Sequence, residues 1–194
     1  MNKMILRASL ISVLLICFFT FAVFAGSPPK DVKLASKAFA NVADNSWTTL
    51  DFSSQPAGEY YLEMTNLTGS SIGCWGAKAD KYADGTAYQD GQSIAGDLRM
   101  QYTPKGEAAV ELVVVAPQGA IGDDWNPFGL QDAKVSIGQS FKAPKEFIAV
   151  AFQTPTWSTA NSGCTLTLYS PANVSAVKSV GKLTSSWGSI KSQN

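Results

Sequence analysis

Not one histidine occurs in the 194 residues of this chain, and that absence removes whole classes of chemistry. Ser-His-Asp triads, His-Cys dyads and His-containing zinc or iron centres all need an imidazole. Cysteine is scarce too: Cys17, Cys74 and Cys164 are the full set of three, and the last two lie in strand-like stretches among apolar residues, where a thiol reads as core rather than nucleophile. No glycine-rich phosphate loop opens a helix and no G-x-S-x-G elbow is present. Charge is sparse and balanced, 15 Lys+Arg against 15 Asp+Glu. With no block of one sign, nothing recruits nucleic acid or an anionic membrane. Sustained helical periodicity is also missing from Asp31 onward.

What is present begins with a leader. Lys3 and Arg7 precede an apolar run from Leu10 to Phe24 that ends in Val23-Phe24-Ala25-Gly26, the pattern of a secretory signal peptide cleaved after Ala25. The run is about 15 residues, short of the roughly 20 that a spanning helix needs. Retention as an N-terminal anchor is the alternative. Lipidation at Cys17 is disfavoured because Ile16 precedes it, where a small residue is usual. The expected organisation is a signal peptide over 1–25, one domain over 26–190 and a polar tail over 191–194. The chain is then secreted, extracellular or periplasmic, with no membrane contact after cleavage. Removing 25 residues from 194 leaves 169, enough for one ordinary core.

Period-2 patterning dominates this remainder. In "EYYLEMT" (59–65) Tyr60, Leu62 and Met64 share one face and Glu59, Tyr61 and Glu63 the other; in "DLRMQYT" (97–103) Leu98, Met100 and Tyr102 oppose Arg99 and Gln101. Both read as half-buried strands. "AAVELVVVA" (108–116) and "EFIAVAF" (146–152) are denser, β-branched and bounded by prolines, which favours central strands. "CTLTLY" (164–169) alternates again, and a closing strand is expected around Val177 to Trp187. The breaks ("SSQPAG", "ADGT", "QDGQ", "TPKG", "NPFG", "NSG") are Gly, Pro, Asn and Asp turn chemistry. About nine strands at this spacing predict an all-β, antiparallel β-sandwich.

Parity places Cys74 and Cys164 on the apolar faces of their strands. In an exported chain only one intramolecular pairing remains, and an inter-strand Cys74–Cys164 disulfide is the expectation, with two buried free thiols as the alternative. Closing a loop of about 90 residues would remove roughly 4–5 kcal/mol of unfolded-state entropy.

The densest polar segment is "DKYADGTAYQDG" (80–91). As an EF-hand loop starting at Asp80 it fails, since position 3 is Tyr82 and position 12 is Gly91. An irregular calcium site stays open, but Asp84-Gly85 and Asp90-Gly91 read first as turns around the short stretch "TAYQ". Paired carboxylates drawn from Asp80, Asp84, Asp90, Asp97, Asp123 and Asp124 could serve a sugar-cleaving enzyme, yet acidic residues in turns are commonly solvated turn formers. The expectation is no enzyme, no cofactor and no resident metal. Asn66-Leu67-Thr68 and Asn173-Val174-Ser175 match the N-glycosylation pattern, which also arises by chance.

"AGEYYLEMTN…GSSIGCWGAKADKYADGTAYQDGQSIAGDLRMQY" resembles the secreted, galactose-binding-like (jelly-roll) β-sandwich modules found beside glycoside hydrolases and in cell-surface proteins. The shared pattern is a G-x-Y-Y-L-E strand, an I-G-x-W strand, a Y-x-x-G-x-A-Y loop and a G-D-L strand. "IGQSFKAPKEFIAVAFQTPTWSTANSGCTLTLY" resembles another part of the same modules. The P-T-W segment follows the Y-Y-L-E segment here, whereas in the pattern it precedes it, and no attached catalytic domain is expected. The resemblance implies a noncatalytic module that binds carbohydrate or a cell-surface glycan; a structural or adhesion domain with a protein partner is the alternative. Sugar rings stack on aromatic faces, so the candidate ligand residues are Trp75, Tyr82, Tyr88, Trp125 and Trp157. For any one of them, capping the core edge or packing beneath its own turn is the first reading and ligand contact the second, and Trp47 and Trp187 read as still more structural.

Overall fold

The computed structural model describes residues 26–115, 125–130 and 135–172, with Trp125 described by its backbone alone. Thirteen strands and no helix occur among them: β1 Val32–Phe39, β2 Ser46–Gln55, β3 Gly58–Thr68, β4 Gly73–Ala77, β5 Ala87–Gln89, β6 Gln92–Ile94, β7 Asp97–Leu98, β8 Met100–Pro104, β9 Val110–Glu111, β10 Trp125–Gly129, β11 Ser136–Ala143, β12 Phe147–Thr154 and β13 Gly163–Ser170. Nine of these thirteen run five residues or more, and β5, β6, β7 and β9 are fragments of two or three. The expected all-β, antiparallel β-sandwich is what forms. The strand expected around Val177 to Trp187 and the leader lie outside the described residues.

One layer is a six-stranded antiparallel sheet in the order β1-β13-β3-β11-β5-β6. Facing it are a three-stranded sheet, β10-β4-β7, and a four-stranded sheet, β2-β12-β8-β9. These two are joined at Arg99, the residue between β7 and β8: its N–H donates to Trp75 O at 2.6 Å and its carbonyl accepts from Gln153 N–H at 3.2 Å. The alternation in the sequence explains the core. Tyr60, Leu62 and Met64 of β3, Leu166 and Leu168 of β13, and Met100, Tyr102, Phe147 and Phe152 of the opposite layer are all buried. Phe147 is the hub, in contact with Tyr60 at 4.9 Å, Phe52 at 5.3 Å, Phe141 at 6.0 Å and Tyr102 at 6.2 Å between ring centroids.

Three expectations need correction. The Cys74–Cys164 bridge is not formed: both residues are free, buried thiols. Parity does turn both inward, but from different sheets, and the Cys74 sulfur is directed at backbone carbonyls, donating to Trp75 O at 3.2 Å and Arg99 O at 3.7 Å. Burial pushes the Cys74 thiol well up and the Cys164 thiol to about 12, so neither is a thiolate at neutral pH. Nor do the described residues of the stretch 108–116, which are 108–115, form a central strand. Only Val110–Glu111 pairs, with β8 as its sole neighbour, and with a partner on one side alone Val113 and Val115 find the core while Val110 and Val114 stay 42% and 67% exposed.

The third correction concerns β3, whose second face is covered instead of solvated. Tyr61 and Glu63 are both buried. Tyr88 packs edge-on against Tyr61 at 5.5 Å, Tyr169 lies at 6.3 Å, and Lys30 pairs with Glu63 while its Nζ sits 5.5 Å from the Tyr61 ring centre. A cation over aromatic faces and against a carboxylate fastens the segment before β1 across the sheet.

Candidate functional site

Aromatic and polar side chains converge on the outer face of the layer formed by the three- and four-stranded sheets. In β2 the alternation buries Thr48 and Leu50 and turns Trp47 outward. Trp47 pairs with Gln153 of β12, Gln153 N–H bonds Arg99 O, and Arg99 N–H bonds Trp75 O. Four residues from four chain segments thereby form one row. Their side chains interlock: Arg99 Nη1 donates to Gln153 Oε1 at 2.6 Å, Nη2 lies 3.3 Å from both oxygens of Glu111, and the guanidinium sits 5.5 Å from the Trp47 ring centre. Arg99 Nε is buried with no protein partner.

Trp157 closes this row at one end. Its turn is fixed by the Thr159 N–H to Thr156 O bond at 3.1 Å and by Asp44, whose Oδ1 accepts from Thr156 N–H at 2.6 Å. Trp157 and Ser158 then occupy the two central positions with φ of +50° and +61°, the left-handed sign that a I′ turn demands and that Asn or Gly normally supplies. The indole is 39% exposed. It lies over Gly73, where an added β-carbon would come within 3.0 Å of the ring. Trp75 meets it edge to face, with centroids 6.3 Å apart and planes at 65°, and Trp75 Nε1 donates to Asn45 Oδ1 at 2.7 Å.

Of the five aromatic candidates, Trp75 and Trp157 therefore share one surface. Trp125 stands on β10 opposite Ala77 of β4, and its side chain lies outside the described residues. Tyr82 and Tyr88 are elsewhere, on the six-stranded sheet. The Tyr82 hydroxyl donates to Lys142 O at 3.2 Å and accepts from Lys142 N–H at 3.1 Å, which clasps its loop to β11. Tyr88 is mostly covered by its contact with Tyr61 but lines a groove of about 360 Å³ together with Glu59, Asp84, Thr86, Ser140 and Lys142.

The segment 80–91 is built as turn architecture. β5 and β6 form a hairpin across Asp90-Gly91, with φ of +51° and +78°, the two-residue I′ arrangement expected of Asp-Gly. Its preceding loop is held by Asp97, which is only 1% exposed. Asp97 Oδ2 accepts from Lys81 N–H at 2.6 Å and Tyr82 N–H at 2.9 Å, and Oδ1 from Gln139 Nε2 at 2.9 Å. Among the described residues no group of three or more Cys, Asp or Glu could hold a metal ion.

Sequence reasoning did not single out Arg99, Gln153, Asn45 or Glu111, and took Trp47 as structural. The alternation of "SWTTL" carried a signal for Trp47, because its parity opposes Leu50. Nothing local marks Gln153 or Asn45. The fold and this site together define an antiparallel β-sandwich bearing a tryptophan corner with a hydrogen-bonding rim. Comparison of the chain with protein-family models, with curated proteins and with solved structures finds no match.

Proposed function

We propose that the chain is an exported, noncatalytic recognition module of the galactose-binding-like, jelly-roll kind, which binds carbohydrate through Trp157 and Trp75 with Asn45, Arg99, Gln153 and Glu111 as its polar rim. One observation carries the reading: a large apolar ring is held 39% exposed on a turn of two left-handed non-glycine residues. Such a backbone is costly and persists where the surroundings over-determine it, typically at ligand sites. An exposed indole beside fixed donors and acceptors suits a sugar, whose C–H face stacks while its hydroxyls bond. The carboxylates support a noncatalytic role, since Asp97 is engaged in holding a loop and Asp90 Oδ1 accepts from Val135 and Ser136 N–H at 2.8 and 3.1 Å. The test is a glycan array with the exported protein. Binding is expected for wild type and lost in Trp157→Ala and Trp75→Ala chains that keep the wild-type circular dichroism spectrum; binding that survives both substitutions would sink the proposal.

A protein partner is the second reading, favoured by the exposed valines Val110 of β9 and Val114 three residues beyond it. The long edge strand β1 argues against pairing with another chain, because it carries Lys33 and Lys37 and a bulge between Lys33 and Ala35, the usual guards of a sheet edge.

A further inference from the structure

We propose that the tryptophan corner selects a single, soluble, uncharged glycan chain, and discriminates against both flat insoluble polysaccharide and acidic glycans. This rests on the carbohydrate reading above and deepens it by naming the ligand class.

Shape excludes the flat surface. A sheet of aligned chains is gripped by rings that lie in one plane, each stacking on a different sugar. Trp157 and Trp75 stand at 65° with centroids 6.3 Å apart, so no single plane touches both faces. They form a corner, in which one ring lies beneath a sugar and the other stands against its edge. The corner is also fixed: Trp157 is seated over Gly73, and the Trp75 indole N–H is committed to Asn45. Neither ring is arranged to swing flat.

Charge excludes the acidic ligand. Arg99 is the cation of the rim, and its guanidinium is already matched by both Glu111 oxygens and by Gln153 Oε1, with Trp47 against it. The Trp157 turn adds a second carboxylate, Asp44, whose Oδ1 accepts from Thr156 N–H. Among the described contacts of the corner, a uronate or sulfate would thus meet Glu111 and Asp44 and a guanidinium that is already paired. Neutral hydroxyls face no such penalty, and Glu111, 32% exposed at its side chain, can accept from them.

The experiment measures the exported protein against three ligand sets: soluble neutral oligosaccharides by calorimetry, acidic oligosaccharides by the same method, and microcrystalline neutral polysaccharide by sedimentation. Binding to the first set is expected, at least tenfold tighter than to the second and with no retention on the third, and removed by Trp157→Ala. Glu111→Gln uncovers the Arg99 charge and is expected to raise affinity for the acidic set at least threefold. Retention on the insoluble polymer, acidic ligands bound as well as neutral ones, or an unresponsive Glu111→Gln chain would each overturn the inference while leaving carbohydrate binding intact. Binding to none of the three sets overturns that reading along with it.

Discussion

At the scale of single residues, Trp157 and Ser158 set stability against recognition. A left-handed backbone costs a non-glycine residue about 1–2 kcal/mol, and here two such residues adjoin, at φ +50° and +61°. Ser158→Gly is therefore expected to stabilise the protein by about 1 kcal/mol with the indole still in place, although glycine in a regular strand or helix usually destabilises relative to alanine. At position 157 the same reasoning orders two variants that both lack the ring: Trp157→Gly should be more stable than Trp157→Ala by about 1 kcal/mol. Urea unfolding of the three variants checks both statements. Alanine equal to or better than glycine at 157 would mean that the turn relaxes once the ring is gone. The sequence showed "NSG" as a break and Trp157 as a candidate, but the sign of φ was hidden, because Trp-Ser is not the pair that a left-handed turn advertises.

At the scale of elements, the loop before β5 shows where local signals end. The hairpin over Asp90-Gly91 was legible because two adjacent residues specify it. The clamp on the preceding loop was not: Asp97 reaches back to Lys81 and Tyr82 and across to Gln139 of β11, contacts that no spacing rule announces. Burial raises the Asp97 carboxyl above its ordinary value and outweighs the three N–H donors that favour the anion. A folded-state value above the unfolded one means that the folded chain holds the proton more tightly. The contribution of this carboxyl to stability is thus fully present below the unfolded value, about 3.9, and lost as pH rises through the folded value. Asp97→Asn removes the titration and sets an amide N–H against a donor, at a cost of about 1–3 kcal/mol at neutral pH. The stability difference between wild type and Asp97→Asn should widen as pH falls from 7 toward 4. A gap that narrows toward acid would show that hydrogen bonding to the anion, not burial, governs the site.

At the scale of the whole molecule, alternation in β3, β8 and β13 with the dense apolar run of β12 was enough to give two facing layers, because period 2 fixes which side chains are inward irrespective of which strands pair. What alternation cannot give is the offset between layers. That offset decides that Cys74 and Cys164, both inward, remain separate thiols, and that Arg99, an ordinary outward residue of "DLRMQYT", becomes the junction of two sheets and of the tryptophan rim. The same packing makes the thiols reporters of global stability. Both are buried, with their ionisation pushed up, so a thiol reagent reaches them only when the layers separate. Mass mapping of the folded protein should show Cys74 and Cys164 unlabelled and not linked to each other, and the unfolded protein should label at both. Phe147→Ala empties the hub between the layers and should cost about 3–5 kcal/mol. When opening and closing are fast relative to labelling, the rate follows the population of the open form, and at tenfold per 1.4 kcal/mol the variant should label both cysteines at least a hundredfold faster than wild type. A disulfide-linked peptide pair in the wild type would refute the separation of the thiols, and equal labelling rates in the two proteins would show that the cysteines are reached by a local opening that leaves the layers together.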